Sequence, residues 1–410
     1  MSISSTTPKN YDLLDPEALI NPYPLYKQIR EEDPVYFYEK GGFWLLTRYQ
    51  DVEAAFNDLR LSAERQTLFS NLSEQLKPVT IDNFVKLTSN FLVEKDPPIH
   101  TQIRKIAQPG FTAKAIESWR SIIQNITDNL LDQVQHQHRM NVVSDLAFDL
   151  PSTVIAQIFN VPETERRNFI QWGLDIVGLW GFSGGGDIKK IAQKAEEASV
   201  KFTNLVKQLI VERQRQPGDD MISLSIAACQ ENGVSLEFLP SLCITILIAG
   251  HTTTTDMISN GLYALFQHPQ QWQLLKENPE LVNSAVEELI RFDTPVQMQF
   301  RFAKEDMIIG GKEIKAGSMV ALAMGAANHD PEKFTNPEML DITRSPNEHI
   351  GFGKGVHFCL GIILARMELA IVFSTLLSRM PNLSLDTERL PKINRGSLVL
   401  KGFESLYVKF

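Results

Sequence analysis

The sequence has few cysteines and no excess of positive charge, and each shortage excludes a class of protein. Its 410 residues include three cysteines, Cys229, Cys243 and Cys359, whose spacing fits neither a disulfide framework nor a zinc site. The formal net charge is −9, which argues against a general affinity for nucleic acid or for an anionic membrane. A reducing, cytoplasmic location is the simplest interpretation.

Long apolar runs are also missing. The N-terminal segment has no apolar stretch preceded by positive charge, so we expect neither a signal peptide nor a membrane anchor. The longest apolar run near the centre, residues 238–250, is interrupted by Pro240, Ser241 and Thr245, whereas a spanning helix needs roughly 20 mainly apolar residues. This run therefore predicts a buried core helix.

No internal repeat and no linker rich in Pro, Gly and Ser divides the chain. We expect a single domain over residues 11–410 and a polar, disordered tail over residues 1–10. Apolar residues recur at spacings of three and four through most of the sequence, which is typical of amphipathic helices. Turns at residues 40–42 and 310–311 predict two hairpins, so the expected fold is mainly α with a small β portion. The glycine-rich stretch 181–187 predicts a mobile loop, either functional or an ordinary surface connection.

The strongest chemical signal is the stretch "FGKGVHFCLG", residues 352–361, which runs directly into an apolar helix. Its glycines let the backbone approach a flat ligand closely. Cys359 falls at the mouth of the helix, where free N–H groups and the helix dipole favour a thiolate, and such a thiolate is a suitable axial ligand for haem iron. A lone cysteine is usually a small buried apolar residue, and only the surrounding pattern favours the haem interpretation.

Two further pairs have helical spacing. Glu288 and Arg291 are three residues apart, so they share one helical face and can form an ion pair, either buried or on the surface. His100 and Arg104 are four apart with no acidic residue between them, which suggests an anion between their tips. Each of these residues alone is compatible with an ordinary surface charge.

The central apolar segment contains an unexpected weak point, "IAGHTTTTD", residues 248–256. Glycine and threonine are poorer helix formers than the leucine and isoleucine around them. Threonine hydroxyls can donate to carbonyls one turn earlier and open a local kink. They also furnish hydroxyl groups in a pocket that is otherwise apolar.

Taken together, these motifs resemble the cytochrome P450 family in its soluble bacterial form, over nearly the whole chain. The resemblance implies the cytochrome P450 fold, haem b with the Cys359 thiolate as axial ligand, and insertion of one oxygen atom of O2 into a C–H bond of a hydrophobic molecule such as a terpenoid or fatty acid. The residues that it assigns to the haem are His100, Arg104, Ala249, Gly250, Arg301, Phe352, His357, Cys359 and Gly361. Of these, it assigns His100, Arg104, Arg301 and His357 to the propionates.

The resemblance assigns catalytic roles to Thr252 and Thr253, with one departure. The family carries an acidic residue before the catalytic alcohol, and Thr252 occupies that position. Asp256, one turn further on, either relays protons through water or is a solvated or paired surface carboxylate. We expect Thr253 to hydrogen-bond dioxygen while proton delivery is slower or rerouted, so that Thr252→Glu changes turnover or the share of reducing equivalents lost to peroxide.

The resemblance also implies that Glu288 and Arg291 form a buried pair, which family members often extend with an arginine from a nearby segment. That segment here is "PEML", residues 337–340, with Met339 at the arginine position, so the third partner is missing from it. By position in the family, the region around residues 84–91 and the 172–182 loop contribute to the substrate pocket. Its expected residues are Phe84, Phe91, Trp180, Leu247, Val296, Met298 and Leu398.

We expect no fused flavin or iron–sulfur domain, so the implied electron donors are a ferredoxin and a ferredoxin reductase, and the protein is expected to be a monomer. A local basic face for the ferredoxin is expected from Lys105, Lys114, Lys354 and Arg366. Three alternatives remain open at this point. They are a haem–thiolate enzyme with peroxide-driven, coupling, dehydration or isomerisation chemistry, a non-catalytic haem protein that recruits a carrier domain, and a hydrolase or transferase with Cys359 as nucleophile.

Overall fold

The computed structural model describes residues 11–64, 76, 78–181, 187–394 and 396–410. The tail 1–10, predicted to be disordered, lies outside the described residues. So does most of the predicted glycine-rich loop, residues 182–186.

Helices make up most of the described chain, as the apolar periodicity predicts. The α-helices are α1 Pro16–Ile20, α2 Tyr23–Glu32, α3 Tyr49–Asn57, α4 Asp82–Thr88, α5 Ile99–Ala107, α6 Ala113–Ser118, α7 Arg120–Val134, α8 Asp149–Ile158, α9 Glu163–Trp180, α10 Ile188–Arg215, α11 Met221–Asn232, α12 Leu239–Gln267, α13 Pro269–Glu277, α14 Val282–Phe292, α15 Met324–Ala327 and α16 Ile362–Arg379. Short 3-10 segments are Leu92–Glu94, Gln108–Phe111, Gln135–Gln137, Leu236–Phe238, Pro279–Leu281 and Gly355–His357, and Val143–Ala147 is a π-helical turn.

The strands are short. They are β1 Val35–Tyr38, β2 Phe43–Leu46, β3 Leu61–Ser62, β4 Arg139–Asn141, β5 Gln299–Ala303, β6 Met307–Ile309, β7 Lys312–Ile314, β8 Met319–Leu322, β9 Ser384–Leu385, β10 Lys392–Ile393, β11 Phe403–Ser405 and β12 Tyr407–Lys409. The largest sheet has the order β1-β2-β8-β5-β3, with β2 and β8 parallel and the other pairs antiparallel. The hairpins β1–β2 and β6–β7 are the two predicted from the sequence, so the prediction of a mainly α fold with a small β portion is confirmed.

The five-stranded sheet separates two apolar clusters, because successive side chains along a strand point to opposite faces. On β8, Val320 and Leu322 join a cluster with Val35 and Phe56, while Ala321 joins a cluster with Tyr26. The largest cluster lies among the helices. Residues on the same strand therefore reach different parts of the core.

Helix α12 crosses the helical part of the molecule, with α8, α9, α10, α14 and α16 packed around it. Residues 239–247 are all buried. The stretch Leu236–Gln267 is apolar and long enough to span a membrane by length and composition. Its burial against five other helices is the packing of a core helix, which confirms the interpretation of the central apolar run.

Candidate active site

Cys359 closes a loop that folds back on itself three residues before the start of α16. The Cys359 N–H donates to the Phe352 carbonyl at 3.0 Å, and the Phe358 N–H donates to the Gly355 carbonyl at 3.1 Å. Gly355 has a φ of +69°, and a Cβ atom there would lie 2.4 Å from the Phe56 carbonyl oxygen on α3. Only glycine allows the loop to lie this close to α3 with this backbone conformation.

Opposing influences act on the Cys359 thiol. Burial raises its pKa, whereas the Gly361 N–H and the positive charges of Arg104 and Arg366 lower it. Arg104 Nη2 also donates to the Phe358 carbonyl at 2.8 Å, so this guanidinium is fixed beside the loop. Because burial is the largest influence, the site needs a further cation at the sulfur to hold a thiolate, and a bound iron would supply it.

A cluster of basic side chains converges next to the cysteine loop. The His100 and His357 rings are 4.3 Å apart, and neither nitrogen of the buried His100 has a hydrogen-bond partner. Burial, then Arg104 and Arg301, lower the pKa of His100 to about 4. Burial lowers the pKa of His357 in the same way, with Arg301, His100 and Arg104 adding to the effect. Repulsion among these closely spaced basic groups is relieved by anions, and the two propionates of a haem fit this set.

Two threonines of the 252–255 run, Thr253 and Thr255, donate hydrogen bonds to backbone carbonyls within an unbroken helix. Thr253 Oγ1 donates to the Ala249 carbonyl at 2.7 Å, and Thr255 Oγ1 lies 2.9 Å from the carbonyls of both His251 and Ala147. A Cβ at Gly250 would lie 2.7 Å from Ile155 Cδ1, so the glycine permits close packing on α8. The weak helix formers therefore bring hydroxyl groups and a close backbone approach to the middle of a core helix.

Glu288 and Arg291 form a fully buried pair on α14, with both oxygens of the carboxylate 2.8 Å from guanidinium nitrogens. The segment at residues 337–340 offered no arginine as third partner, and the structure supplies Arg344 in that place. Arg344 Nε lies 3.0 Å from Glu288 Oε2, and the Met339 carbonyl accepts from Arg291 at 3.1 Å and from Arg344 at 3.2 Å. The only feature of the sequence that could have suggested Arg344 as the third partner is that it is the one arginine between Arg301 and Arg366.

The seven residues expected in the substrate pocket fall into two groups. Phe84, Phe91, Leu247 and Trp180 belong to the large helical cluster, where the Phe91 and Trp180 rings are 5.8 Å apart. Trp180 Nε1 also donates to Glu94 Oε1 at 2.9 Å. The other three lie beside the five-stranded sheet. They are Val296, in the cluster with Val35, and Met298 and Leu398, in the cluster with Tyr26. Their role as pocket residues stays a prediction.

Two carboxyl groups with raised pKa values flank the threonine segment. The Asp256 carboxyl packs against Gly402, where its Oδ1 occupies the space of a Cβ, and burial followed by the negative charge of Asp293 raises its pKa to about 8. A solvated surface carboxylate, one of the two interpretations of Asp256, does not fit this environment. Glu368 on α16 was not identified from the sequence. Its side chain is buried with Oε2 3.5 Å from Thr254 Oγ1, and burial raises its pKa to about 8.

Glu368 should make stability depend on pH. Its folded-state pKa of about 8 lies above the ordinary value of 4.5, so the folded state keeps its proton while the unfolded state ionises. The resulting stabilisation is present in full below pH 4.5 and is lost as pH rises towards 8. We expect Glu368→Gln to raise the thermal unfolding midpoint relative to the parent protein increasingly across this window, by the equivalent of about 1–3 kcal/mol at neutral pH. A midpoint difference that stays constant with pH would contradict the assignment.

Comparison with known proteins identifies the family. The cytochrome P450 family model matches residues 63–410. The chain belongs to the cytochrome P450 family. It is 39% identical to the biotin biosynthesis cytochrome P450 of Bacillus subtilis, and the match covers 94% of each chain. It is 34% identical to the vitamin D(3) 25-hydroxylase of Pseudonocardia autotrophica, and that match covers 100% of this chain and 98% of the other. It is also similar to the crystal structure of P450BioI in complex with an acyl carrier protein ligated to hexadec-9Z-enoic acid, with a TM-score of 0.87, 37% identity and coverage of 97% of this chain and 100% of that one.

This cytochrome P450 therefore has the fold of its family, as the motifs predicted, and it is an oxidoreductase of the monooxygenase class. Members of the family bind haem b through a cysteine thiolate, and Cys359 is the cysteine in the loop that carries the motif. The cluster of His100, Arg104, Arg301 and His357 lies beside this loop, and its assignment to the propionates stays a prediction. The alternative with a cysteine nucleophile is excluded by the family assignment.

Proposed function

We propose that this cytochrome P450 acts in the cytoplasm, as a monomer, on a hydrophobic small molecule with electrons from a separate ferredoxin-type partner. One atom of O2 enters a C–H bond of the substrate and the other leaves as water, and the reaction consumes two electrons and two protons. The observation that carries the proposal is the Cys359 loop together with the basic cluster of His100, Arg104, Arg301 and His357 beside it.

The site residues have separate roles in this proposal. Cys359 would hold the haem iron through its thiolate, and a thiolate-bound haem would favour O–O cleavage. His100, Arg104, Arg301 and His357 would hold the propionates. The small residues Ala249 and Gly250 leave room for dioxygen, and Thr253 presents its hydroxyl beside them while it donates to the Ala249 carbonyl. Phe352 and Gly361 shape the cysteine loop.

A long aliphatic chain is the substrate class that we favour. The expected pocket residues are all apolar or aromatic, which suits a ligand bound mainly by burial of hydrocarbon. A relative of 37% identity holds a hexadecenoic acid joined to an acyl carrier protein. We therefore propose a fatty acyl group as substrate, offered either free or on a carrier protein, and comparing product formation from the two forms tests the mode of delivery.

The first test of the function is the absorption spectrum of the reduced protein with carbon monoxide. We expect the strongly red-shifted Soret band of a thiolate–haem carbonyl, and titration with fatty acids of increasing chain length should displace the water ligand and identify the preferred length. Haem without the red-shifted band would overturn the assignment of Cys359. Product formed equally well with hydrogen peroxide and no electron donor would favour the peroxide-driven alternative.

The electron donor should dock through Lys105 and Lys114. Of the four basic residues expected on that face, Lys354 lies 3.2 Å from Glu53 and Arg366 forms a bidentate pair with Glu287, whereas Lys105 and Lys114 are exposed. We expect the double variant Lys105→Glu/Lys114→Glu to slow reduction by a ferredoxin about tenfold at low salt, with the difference shrinking as ionic strength rises.

The matched control for this prediction is Lys207→Glu, a reversal of an exposed charge on α10. It should leave the salt dependence of reduction unchanged. Equal salt dependence in the parent protein and the double variant would place the docking face elsewhere.

A further inference from the structure

A line of polar side chains runs along one face of α12 at intervals of four residues. Thr252, Asp256 and Asn260 occupy it, and side chains spaced this way lie one above the other on a helix. Asn260 fixes the far end, because its Nδ2 donates to the Lys401 carbonyl at 3.0 Å. The Asp256 carboxyl packs against the neighbouring Gly402, where no larger residue would fit. Asp256 and Asn260 therefore both meet the segment 401–402, one helical turn apart, and Thr252 lies one turn before Asp256 on the same face.

Polar groups continue outward from this segment. The Lys401 ammonium lies 2.6 Å from both oxygens of Asp293, and the Tyr23 hydroxyl donates to Asp293 at 2.6 Å. A cavity of about 20 Å³, enough for one water molecule, is bordered by Gln297 and Lys401. Gln297 Nε2 lies 3.2 Å from the Tyr23 hydroxyl. Groups that can exchange protons with water thus extend from α12 towards the N-terminal helices.

We propose that Asp256 holds the proton that the missing acid at position 252 would otherwise supply, and passes it through water to the hydroxyls of Thr252 and Thr253. This proposal rests on the proposed monooxygenase function. Cβ atoms four residues apart on a helix are about 5–6 Å from each other, so one bridging water spans the distance from Asp256 to Thr252. The carboxyl of this chain thus lies one helical turn after the position of the family's acidic residue and on the same face of the helix.

The surroundings of Asp256 favour the protonated form at neutral pH. Burial is the main cause and Asp293 adds to it, which raises the pKa of Asp256 to about 8. Lys401 and Tyr23, in the neighbouring segments, both make hydrogen bonds to Asp293. A carboxyl with a pKa close to the working pH can both give up a proton and recover it.

Glu368 is the competing proton source, since it also has a raised pKa and lies 3.5 Å from Thr254. It reaches α12 from α16, whereas Asp256 lies on α12 itself and contacts the segment at Gly402. Thr254 lies two positions from Thr252, on a different face of the helix. The experiment therefore compares the two acids directly.

The test uses the haem-loaded protein with its electron donor and a bound fatty acid. We expect Asp256→Asn to lower product formation at least tenfold and to raise the share of reducing equivalents released as hydrogen peroxide, with the carbon monoxide spectrum and substrate affinity unchanged. Glu368→Gln should leave that share unchanged. The double variant Asp256→Asn/Thr252→Glu should restore coupling, because it returns a carboxyl to the usual position. A peroxide share unchanged by Asp256→Asn, or raised without rescue by the double variant, would overturn the proposal.

A second measurement needs no turnover. Infrared difference spectra of the resting protein, recorded as a function of pH, should contain a protonated carboxyl band that titrates near pH 8 and is missing from Asp256→Asn but retained in Glu368→Gln, beside a second band, from Glu368, with the opposite behaviour. No such band in the parent protein would overturn the proposal even if the variants fold poorly. Because the carbon monoxide spectrum tests the haem–thiolate assignment separately, failure of the proposed function and failure of the Asp256 proposal give different results.

Discussion

Replacing Cys359 with serine should abolish both the thiolate–haem carbonyl band and product formation. A serine hydroxyl stays protonated where a cysteine can ionise, so the variant lacks the anionic sulfur that the chemistry requires. The loop itself should persist, since its turn depends on the Cys359 N–H, the Phe352 carbonyl and Gly355, and the substitution leaves all three in place. The measurements are the carbon monoxide difference spectrum, haem content and product yield in one preparation.

Cys229→Ser is the matched control for this change. Cys229 is buried on α11, where burial raises the pKa of its thiol to about 11, so it remains a neutral core residue. We expect this control to keep the spectrum and the activity while losing some stability, about 1–2 kcal/mol for burying a hydroxyl in place of a thiol. A red-shifted carbonyl band that survives in Cys359→Ser would mean that another residue ligates the iron.

Replacing Glu288 with glutamine should cost about 3–5 kcal/mol of stability, enough to prevent accumulation of folded, haem-containing protein. The carboxylate is fully buried and contacts two guanidinium groups, those of Arg291 and Arg344, and it accepts from the Asp341 N–H at 3.0 Å. Without its charge, two buried cations lose their counter-ion. The measurements are soluble yield, haem content and the denaturation midpoint.

The chain contains the same pair in an exposed setting, and this is the control. Glu117 and Arg120 are also three residues apart, with the carboxylate Oε1 2.6 Å from Arg120 Nε, but both side chains are more than half exposed at 61% and 54%. Solvent-exposed pairs contribute little to stability, so Glu117→Gln should be close to neutral. Equal effects of the two substitutions would show that the buried network does not stabilise the fold.

What could be predicted from the sequence was local. The cysteine loop, the two hairpins and the core helix each depend on residues within a few positions of one another, and periodicity or turn chemistry reports them directly. The pairing of Glu288 with Arg291 is of this kind, since three residues on a helix determine which side chains meet.

What escaped prediction depends on distant contacts. Arg344 reaches Glu288 from 56 positions away. The segment at residues 337–340 lacks the expected arginine, and a neighbouring loop supplies one instead. Glu368 looked like one charge in an apolar helix, and its environment is set by Thr254 on another helix. Lys354 and Arg366 looked like free surface charges until their acidic partners, Glu53 and Glu287, were located.

The contact between Gly355 and the Phe56 carbonyl limits how far the chain can be truncated from its N-terminus. The residues matched by the family model begin at 63, yet the cysteine loop lies on α3, and strands β1 and β2 form one edge of the five-stranded sheet. A truncated protein starting at residue 63 would lose the support beneath the loop and expose the unpaired edge of β8. Such a fragment should aggregate and fail to retain haem, so the shortest autonomous unit of this protein must include its first helices and strands.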